Sequence, residues 1–147
     1  MHNRLKRILE EKGDKVYSVD PEVSVLDAVR RMNQHRVGAL LVMDQDRPVG
    51  IFTERDVLKR VVDAGRDPAR TRVAEVMTTD LVCVRPETTV QEAMAVITER
   101  RCRHLPVMEG EELRGLVSIG DLTRWMVKDQ HVQIRDLVDF ITGTYPR

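Results

Sequence analysis

Apolar residues recur at helical spacing in two stretches of the chain, and each stretch follows a polar capping sequence. In both stretches the apolar positions fall at i, i+3, i+4 and i+7, which gives a helix one buried stripe. A hydroxyl residue precedes each stripe and an acid follows it three positions later, the spacing of a capping box. We therefore predict helices that begin after Ser24 and after Thr89. The apolar positions are Val25, Ala28, Val29 and Met32 in the first stretch and Val90, Ala93, Met94 and Ile97 in the second.

Each predicted helix is followed by two short apolar runs with a turn between them. The runs at 38–43 and 105–108 are typical of buried strands, and turns at 44–48 and 109–113 lead into second strands at 49–52 and 114–117. Capping-box spacing then recurs, which predicts a second helix in each half. With a strand before the first helix, each half has the order strand, helix, strand, strand, helix. The second caps are Thr53 with Asp56 and Ser118 with Asp121.

The two halves form an internal repeat with a constant offset of 65 residues. Gly50 matches Gly115 and Asp56 matches Asp121 at this offset, and 12 of the 47 positions that align 16–62 with 81–127 are identical. One unit of about 50 residues would be marginally stable alone. We predict a mixed α/β (α+β) fold in which two β-α-β-β-α repeats pack sheet to sheet with pseudo-two-fold symmetry. The predicted divisions are an N-terminal helix at 1–14, repeats at 15–62 and 80–127, a linker at 63–79 with a short helix near 73–77, and a C-terminal helix and tail at 128–147.

Composition excludes several classes of protein. Lys plus Arg and Asp plus Glu both total 24, so no net charge favours nucleic acid or an anionic membrane surface. No apolar run approaches the ~18 residues of a membrane span, and 1–11 lacks the apolar core of a secretory signal, so we predict a cytoplasmic protein. Cys83 and Cys102 lack metal or redox spacing and are expected to be buried, reduced thiols. The histidines are scattered and no GxSxG, HExxH or Walker A motif occurs, so neither a metal site nor an enzyme is predicted.

The motifs resemble those of the CBS domain, named after cystathionine β-synthase, whose tandem pair is called a Bateman module. The resemblance is carried by Gly50-Ile-Phe-Thr-Glu-Arg-Asp56 with 37–44 before it, and by Gly115-Leu-Val-Ser-Ile-Gly-Asp121 with Arg103-His-Leu-Pro-Val107 before it. It implies that an adenine nucleotide such as AMP, ADP, ATP or NAD, or S-adenosylmethionine, binds between the repeats. It also implies regulation of a partner protein and assembly into homodimers.

The carboxylates of Asp56 and Asp121 have a chemistry that suits the ribose of a nucleotide. A carboxylate accepts both hydrogen bonds of a ribose diol, and the free amides of a helix start attract phosphate. The resemblance therefore makes Thr53, Asp56, Ser118 and Asp121 ribose and phosphate contacts. The alternative is that these residues only cap helices, for which the same spacing is sufficient.

At two equivalent positions of the repeats, side chains that could donate hydrogen bonds to a phosphate are present in the second repeat only. Arg103 and His104 offer charged or polar N–H groups, whereas Gly38 and Ala39 stand at the equivalent positions. By resemblance the ligand lies between repeats, so the pair is assigned to the cleft that bears Thr53 and Asp56, with Arg55 as a third phosphate contact. The alternative for the basic run 100–104 is a solvated helix end.

The adenine is expected between apolar walls formed by Ile51 and Leu116. Its edge would be bound by backbone groups near Val82 and Cys83 or near Tyr17 and Ser18. The alternative for all of these positions is ordinary strand core.

The second helices carry more apolar area than one buried stripe needs, which predicts a homodimer face. Alternatively the N-terminal helix, or Phe140 and Ile141 near the C-terminus, covers this face. A ligand-free interaction or redox-regulatory partner of an enzyme is the second function that the sequence allows. The apolar residues are Val57, Leu58, Val61 and Val62 in one helix and Leu122, Trp125, Met126 and Val127 in the other.

Overall fold

The computed structural model describes residues 3–13, 15–129, 138, 141 and 142, and the C-terminal helix and tail predicted at 128–147 fall mostly outside them. The helices are α1 (Leu5–Lys12), α2 (Val25–His35), α3 (Glu54–Asp56), α4 (Val73–Val76), α5 (Val90–Arg100) and α6 (Ile119–Asp129). A π-helical segment, Val57–Val62, continues α3 directly. The strands are β1 (Ser18–Val19), β2 (Ala39–Asp44), β3 (Arg47–Thr53), β4 (His104–Glu109) and β5 (Glu112–Ser118).

The predicted helix starts are confirmed by the hydrogen bonds that form there. Thr89 accepts the amide of Glu92 and Glu92 accepts the amide of Thr89, which completes a capping box at the start of α5. At α2, Ser24 accepts the amide of Asp27, and Asp27 lies 3.9 Å from Arg30. These bonds satisfy amides that a helix start otherwise leaves open.

The strand hairpins match the prediction, and the first strands of the two repeats differ. In one sheet β2 pairs antiparallel with β3 and parallel with β1, while the other sheet contains β4 and β5 alone. The predicted first strand of the second repeat is wrong as a strand, because only an isolated bridge joins Val84 to Val107. Leu41 donates its amide to the Tyr17 carbonyl, but Pro106 stands at the position of Leu41 in β4 and has no N–H to donate.

Each repeat has its own hydrophobic core, and an exchanged helix completes each one. Leu5 and Ile8 of α1 are buried with the core of the second repeat, whereas Val73 and Val76 of α4 are buried with that of the first. The same backbone bonds attach both helices, since Leu5 donates to the Thr88 carbonyl and Val73 to the Val23 carbonyl. The sequence analysis treated 1–14 and 63–79 as flanking segments and missed this exchange. The signal was Arg-apolar-x-x-apolar-apolar at 4–9 and again at 72–77, an offset of 68.

Candidate functional site

Strand alternation divides the side chains of both hairpins between two faces. On one face Leu40 and Phe52 lie in the first core and Leu105 and Val117 in the second. Ala39, Leu41 and Ile51 point to the other face, and they are buried although they belong to neither core. Because β3 and β5 are in contact, this second face lies at the seam between the sheets. We call it the seam face; it comprises Ala39, Leu41, Ile51, Thr53, His104, Pro106, Leu116 and Ser118.

Five predicted site residues are therefore brought together at the seam. Ile51 and Leu116 occupy equivalent positions on β3 and β5, and Thr53 and Ser118 end those strands. His104 lies directly opposite Ser118 across the β4–β5 ladder, so their side chains share the seam face. The prediction that these positions meet is consistent with the register of both hairpins.

Asp56 is buried and held by the end of its own strand and by the linker. Its Oδ2 accepts the Thr53 amide at 2.9 Å and the Thr53 hydroxyl at 3.2 Å, while its Oδ1 accepts the Thr78 hydroxyl at 3.1 Å. Arg60 lies 3.8 Å away and donates to the carbonyls of Val76 and Met77. The carboxylate thus joins the start of α3 to the chain segment that follows α4.

Asp121 has a parallel arrangement with a different partner. Its Oδ2 accepts the Ser118 amide at 2.9 Å, and the Lys12 ammonium approaches the same oxygen at 2.6 Å. Arg124 donates to Oδ1 at 3.1 Å. Partial burial alone would raise the pKa of Asp121, but the bonds from Lys12 and the Ser118 amide outweigh it and the pKa is lowered.

His104 lies where charges from both repeats act on it. Its pKa is lowered, first by burial and then by the positive charge of Lys12, while Asp121 and Glu54 oppose that shift. Arg103 beside it is exposed and adds to the lowering. The lowered pKa favours the neutral imidazole, which carries one N–H available to a ligand.

The other residues predicted to contact a nucleotide form no hydrogen bond with Asp56 or Asp121 within the described part of the chain. Arg55 is exposed on α3, and the Tyr17 ring stacks on His35 with centroids 3.9 Å apart. The carbonyl of Tyr17 is used by Leu41, and Ser18 pairs with Leu41 in the parallel ladder. Val82 is half-buried, and no described N–H donates to its carbonyl.

The expectation of two buried thiols is wrong in part. Cys83 is exposed and Cys102 is half-buried. Partial desolvation raises the pKa of both thiols, so the protonated form is favoured. Cys83 is accessible because the chain at this point is not held in a strand.

Comparisons with known proteins agree with the family resemblance and with the fold. A structure of a CBS-domain protein from Burkholderia ambifaria that is assigned to signal transduction is 42% identical; the match covers 89% of this chain and 98% of that one, with a TM-score of 0.84. The mitochondrial CBS domain-containing protein CBSX3 of Arabidopsis thaliana is 41% identical over 127 residues, covering 83% of this chain and 62% of that protein, so this chain spans less than two thirds of that relative. A hexameric CBS-CP12 protein from bloom-forming cyanobacteria is 27% identical, with 92% of this chain and 80% of that one covered and a TM-score of 0.74.

No helix among the described residues has both the length and the apolar character needed to cross a bilayer. The model of the CBS domain family matches the chain twice, at residues 12–63 and 73–128. The chain therefore belongs to the CBS-domain proteins and carries two copies of the domain.

Proposed function

We propose that this CBS-domain pair senses an adenine nucleotide in the seam and regulates a partner protein. The observation that carries the proposal is the set of side chains on the seam face. Apolar walls, hydroxyls and an imidazole converge there, and an acid begins the helix that follows each strand. Such a mixture of apolar surface and few polar groups is typical of small-molecule sites.

The ligand is assigned to the cleft beside Asp56, which we call the Asp56 cleft and define by Ile51, Thr53, Asp56, Val82 and His104. Thr78 supports the assignment because it forms hydrogen bonds with both Asp56 and Ile51. Thr78 also lies only four residues before Val82 in the chain. Glu54 at the start of α3 and Asp121 at the start of α6 both oppose the lowering of the His104 pKa, so the charges at both helix starts act on the imidazole.

Each part of a nucleotide has a proposed contact in this cleft. Among the described residues no N–H donates to the Val82 carbonyl, and this acceptor suits the exocyclic amine of adenine. Asp56 would give up its bond with the Thr78 hydroxyl and bind the ribose diol instead. The guanidinium of Arg103 and the N–H of His104 would both bind the phosphate. AMP, ADP, ATP and NAD share these groups and are the ligand class proposed.

Isothermal titration with AMP, ATP, NAD and S-adenosylmethionine tests the proposal. Arg103→Ala is expected to weaken binding of the phosphorylated ligands by roughly 10-fold or more, because a charge-assisted bond contributes about 1.5–3 kcal/mol. Arg101→Ala is the matched control, since Arg101 is an exposed arginine at the end of α5. Binding that is equal in both variants, or absent in the wild-type protein, contradicts the proposal.

A ligand-free interaction module is the second candidate, and one observation favours it. Asp56 is only 6% exposed and already has protein partners on both carboxylate oxygens. In that case the seam is structural and regulation proceeds by contact alone, including a redox route through the exposed Cys83. A thermal-shift series separates the two, because a ligand at 100 times its dissociation constant stabilises the folded state by about 2.7 kcal/mol.

We also propose that a second copy of the chain covers an exposed apolar patch. Leu58 and Val62 are 64% and 65% exposed on the π-helical segment, and Met126 is 38% exposed on α6. α1 packs on the second core and leaves these side chains open, Ile141 is itself exposed, and Phe140 lies outside the described residues. The hexameric CBS-CP12 relative supports self-association. The cytoplasmic location stays a prediction.

A further inference from the structure

The chain that follows each exchanged helix reaches the neighbouring acid in a different way in the two repeats. α4 ends at Val76, and Thr78 then forms a bridge with Ile51 and donates its hydroxyl to Asp56. Leu5 of α1 and Val73 of α4 donate the equivalent anchoring hydrogen bonds. Counted from these residues, α1 continues about one helical turn further than α4 and ends at Lys12. α1 has eight residues and α4 has four, and the chain from the anchoring residue to the repeat that follows it is three residues longer for α1, which is close to one helical turn.

In the second repeat Lys12 contacts the two residues equivalent to those that Thr78 contacts in the first, although it bonds the other carboxylate oxygen. Its ammonium lies 2.6 Å from Asp121 Oδ2 and 2.7 Å from the Leu116 carbonyl, and Leu116 is the equivalent of Ile51. The Asp121 side chain is 10% exposed and that of Lys12 is 37% exposed, so the protein shields this charge-assisted bond mainly on the carboxylate side. Since Arg124 holds the other oxygen, cations engage the whole carboxylate.

The helix that carries Lys12 is fixed against the second repeat. The Leu9 side chain fills the space over Gly115, where an added Cβ would lie 2.5 Å from Leu9 Cδ2. Glu11 pairs with Lys128 of α6 at 2.8 Å. The Lys12 stem therefore starts from a fixed position next to Asp121 and does not sample the solvent freely.

The residues that repeat symmetry assigns to the cleft of Asp121 are also unsuited to a nucleotide. Gly38 and Ala39 stand where the second repeat has Arg103 and His104, and the Glu54 carboxylate lies directly over Gly38. Leu41 already uses the Tyr17 carbonyl, which is the equivalent of the Val82 carbonyl. By repeat symmetry, we define the Asp121 cleft by Leu116, Ser118, Asp121, Gly38 and Tyr17. Gly38 adds no side-chain donor for a phosphate, and the Tyr17 carbonyl is already bonded to Leu41.

We propose that the Lys12 ammonium occupies the position in the Asp121 cleft that a ribose diol would take, so that each chain binds one nucleoside, in the Asp56 cleft. This inference rests on the proposed function. It assigns Lys12 as the residue that sets the number of ligands bound.

Equilibrium dialysis with radiolabelled adenosine and AMP tests the inference by counting sites. The wild-type chain is expected to bind one adenosine, and Lys12→Ala two, because the freed carboxylate then accepts a second ribose. Lys12→Arg keeps a cation in place and is expected to retain one site. Lys128→Ala is the matched control, since it removes the other ion pair between α1 and α6 without touching the cleft.

The outcomes separate the two hypotheses. Two adenosines on the wild-type chain, or one on a folded Lys12→Ala chain, overturn the role of Lys12 and leave the proposed function standing. No adenosine or AMP on the wild-type chain overturns the proposed function and the inference with it. If Lys12→Ala fails to fold, Lys12→Gln provides the uncharged variant, and its site count decides in the same way.

Discussion

Pro106 leaves the carbonyl of Val82 without the strand hydrogen bond that Leu41 donates to Tyr17 in the first repeat. The other backbone bonds of the bridge are present, since Val84 donates to the Pro106 carbonyl and Met108 to the Val84 carbonyl. A single missing N–H therefore turns a short strand into an isolated bridge. It also makes the two repeats asymmetric, since within the described chain no N–H donates to the Val82 carbonyl.

Pro106→Leu is expected to weaken nucleotide binding. The new amide would donate to the Val82 carbonyl and compete with the adenine amine, which should lower the affinity for AMP by roughly 2- to 10-fold, the range of one neutral hydrogen bond. Titration calorimetry measures this change. Pro48→Leu serves as the control because Pro48 lies in the other hairpin, opposite Met43. An unchanged affinity for AMP in Pro106→Leu would remove Val82 from the site.

Two equivalent glycines are expected to differ in their tolerance of alanine. A Cβ on Gly115 would meet the end of the Leu9 side chain at 2.5 Å, which can rotate away. A Cβ on Gly50 would meet Met77 Sδ at 2.6 Å and also the Thr78 backbone carbonyl at 3.0 Å, which is held by its bridge with Ile51. Gly50→Ala should therefore cost more of the free energy of unfolding, within the roughly 1–3 kcal/mol typical of overpacking.

Urea denaturation of both variants beside the wild-type protein gives the comparison. The expected order of stability is wild type, then Gly115→Ala, then Gly50→Ala. The reverse order of the two variants would show that α1 yields less than the linker, contrary to the packing described for Leu9 and Met77.

The sequence allowed prediction of those features that depend on local chemistry and on the repeat. Capping residues such as Thr89 and the alternation around Gly50 act over a few positions, so the helix starts and hairpins follow from them. The exchange of α1 between repeats depends on long-range contacts of Leu5 and Ile8, and only a comparison at an offset of 68 would have indicated it.

The site was predictable to a similar extent. Membership of the seam face follows from strand alternation for Ile51 and His104 once the register is known. The contact of Lys12 with Asp121 was not predictable, because it joins residues 109 positions apart through a flexible side chain. The lack of a described N–H donor to the Val82 carbonyl could have been inferred from Pro106, since proline within a paired strand removes one donor.

His104 is expected to make the stability of the fold depend on pH. Burial and the charge of Lys12 lower its pKa in the folded state, whereas the unfolded imidazole titrates near about 6.5. As the pH falls through about 6.5 toward the folded pKa, the unfolded chain takes up a proton that the folded chain does not, and the free energy of unfolding decreases. The contribution of His104 to stability is therefore complete above about pH 6.5 and is lost as the pH falls from there toward the folded pKa.

His104→Gln removes the titrating group and should reduce this loss. The measurement is the free energy of unfolding in urea at about pH 7.5 and about pH 5.5, where the wild-type protein should lose more stability than the variant. Lys12→Gln is expected to reduce the loss as well, since Lys12 contributes to the lowered pKa. The same decrease in all three proteins would contradict the assignment to His104.

Self-association is expected to depend on Leu58. Leu58 and Val62 lie about one helical turn apart and together form an exposed apolar surface on the π-helical segment. A carboxylate at position 58 would have to be desolvated in a dimer that buries this surface, which costs several kcal/mol unless it is paired. Sedimentation equilibrium should therefore find a dimer for the wild-type protein and a monomer for Leu58→Asp. Lys59→Asp, an exposed change on the same segment, should remain dimeric, and equal assembly states of the two variants would exclude this face as the interface.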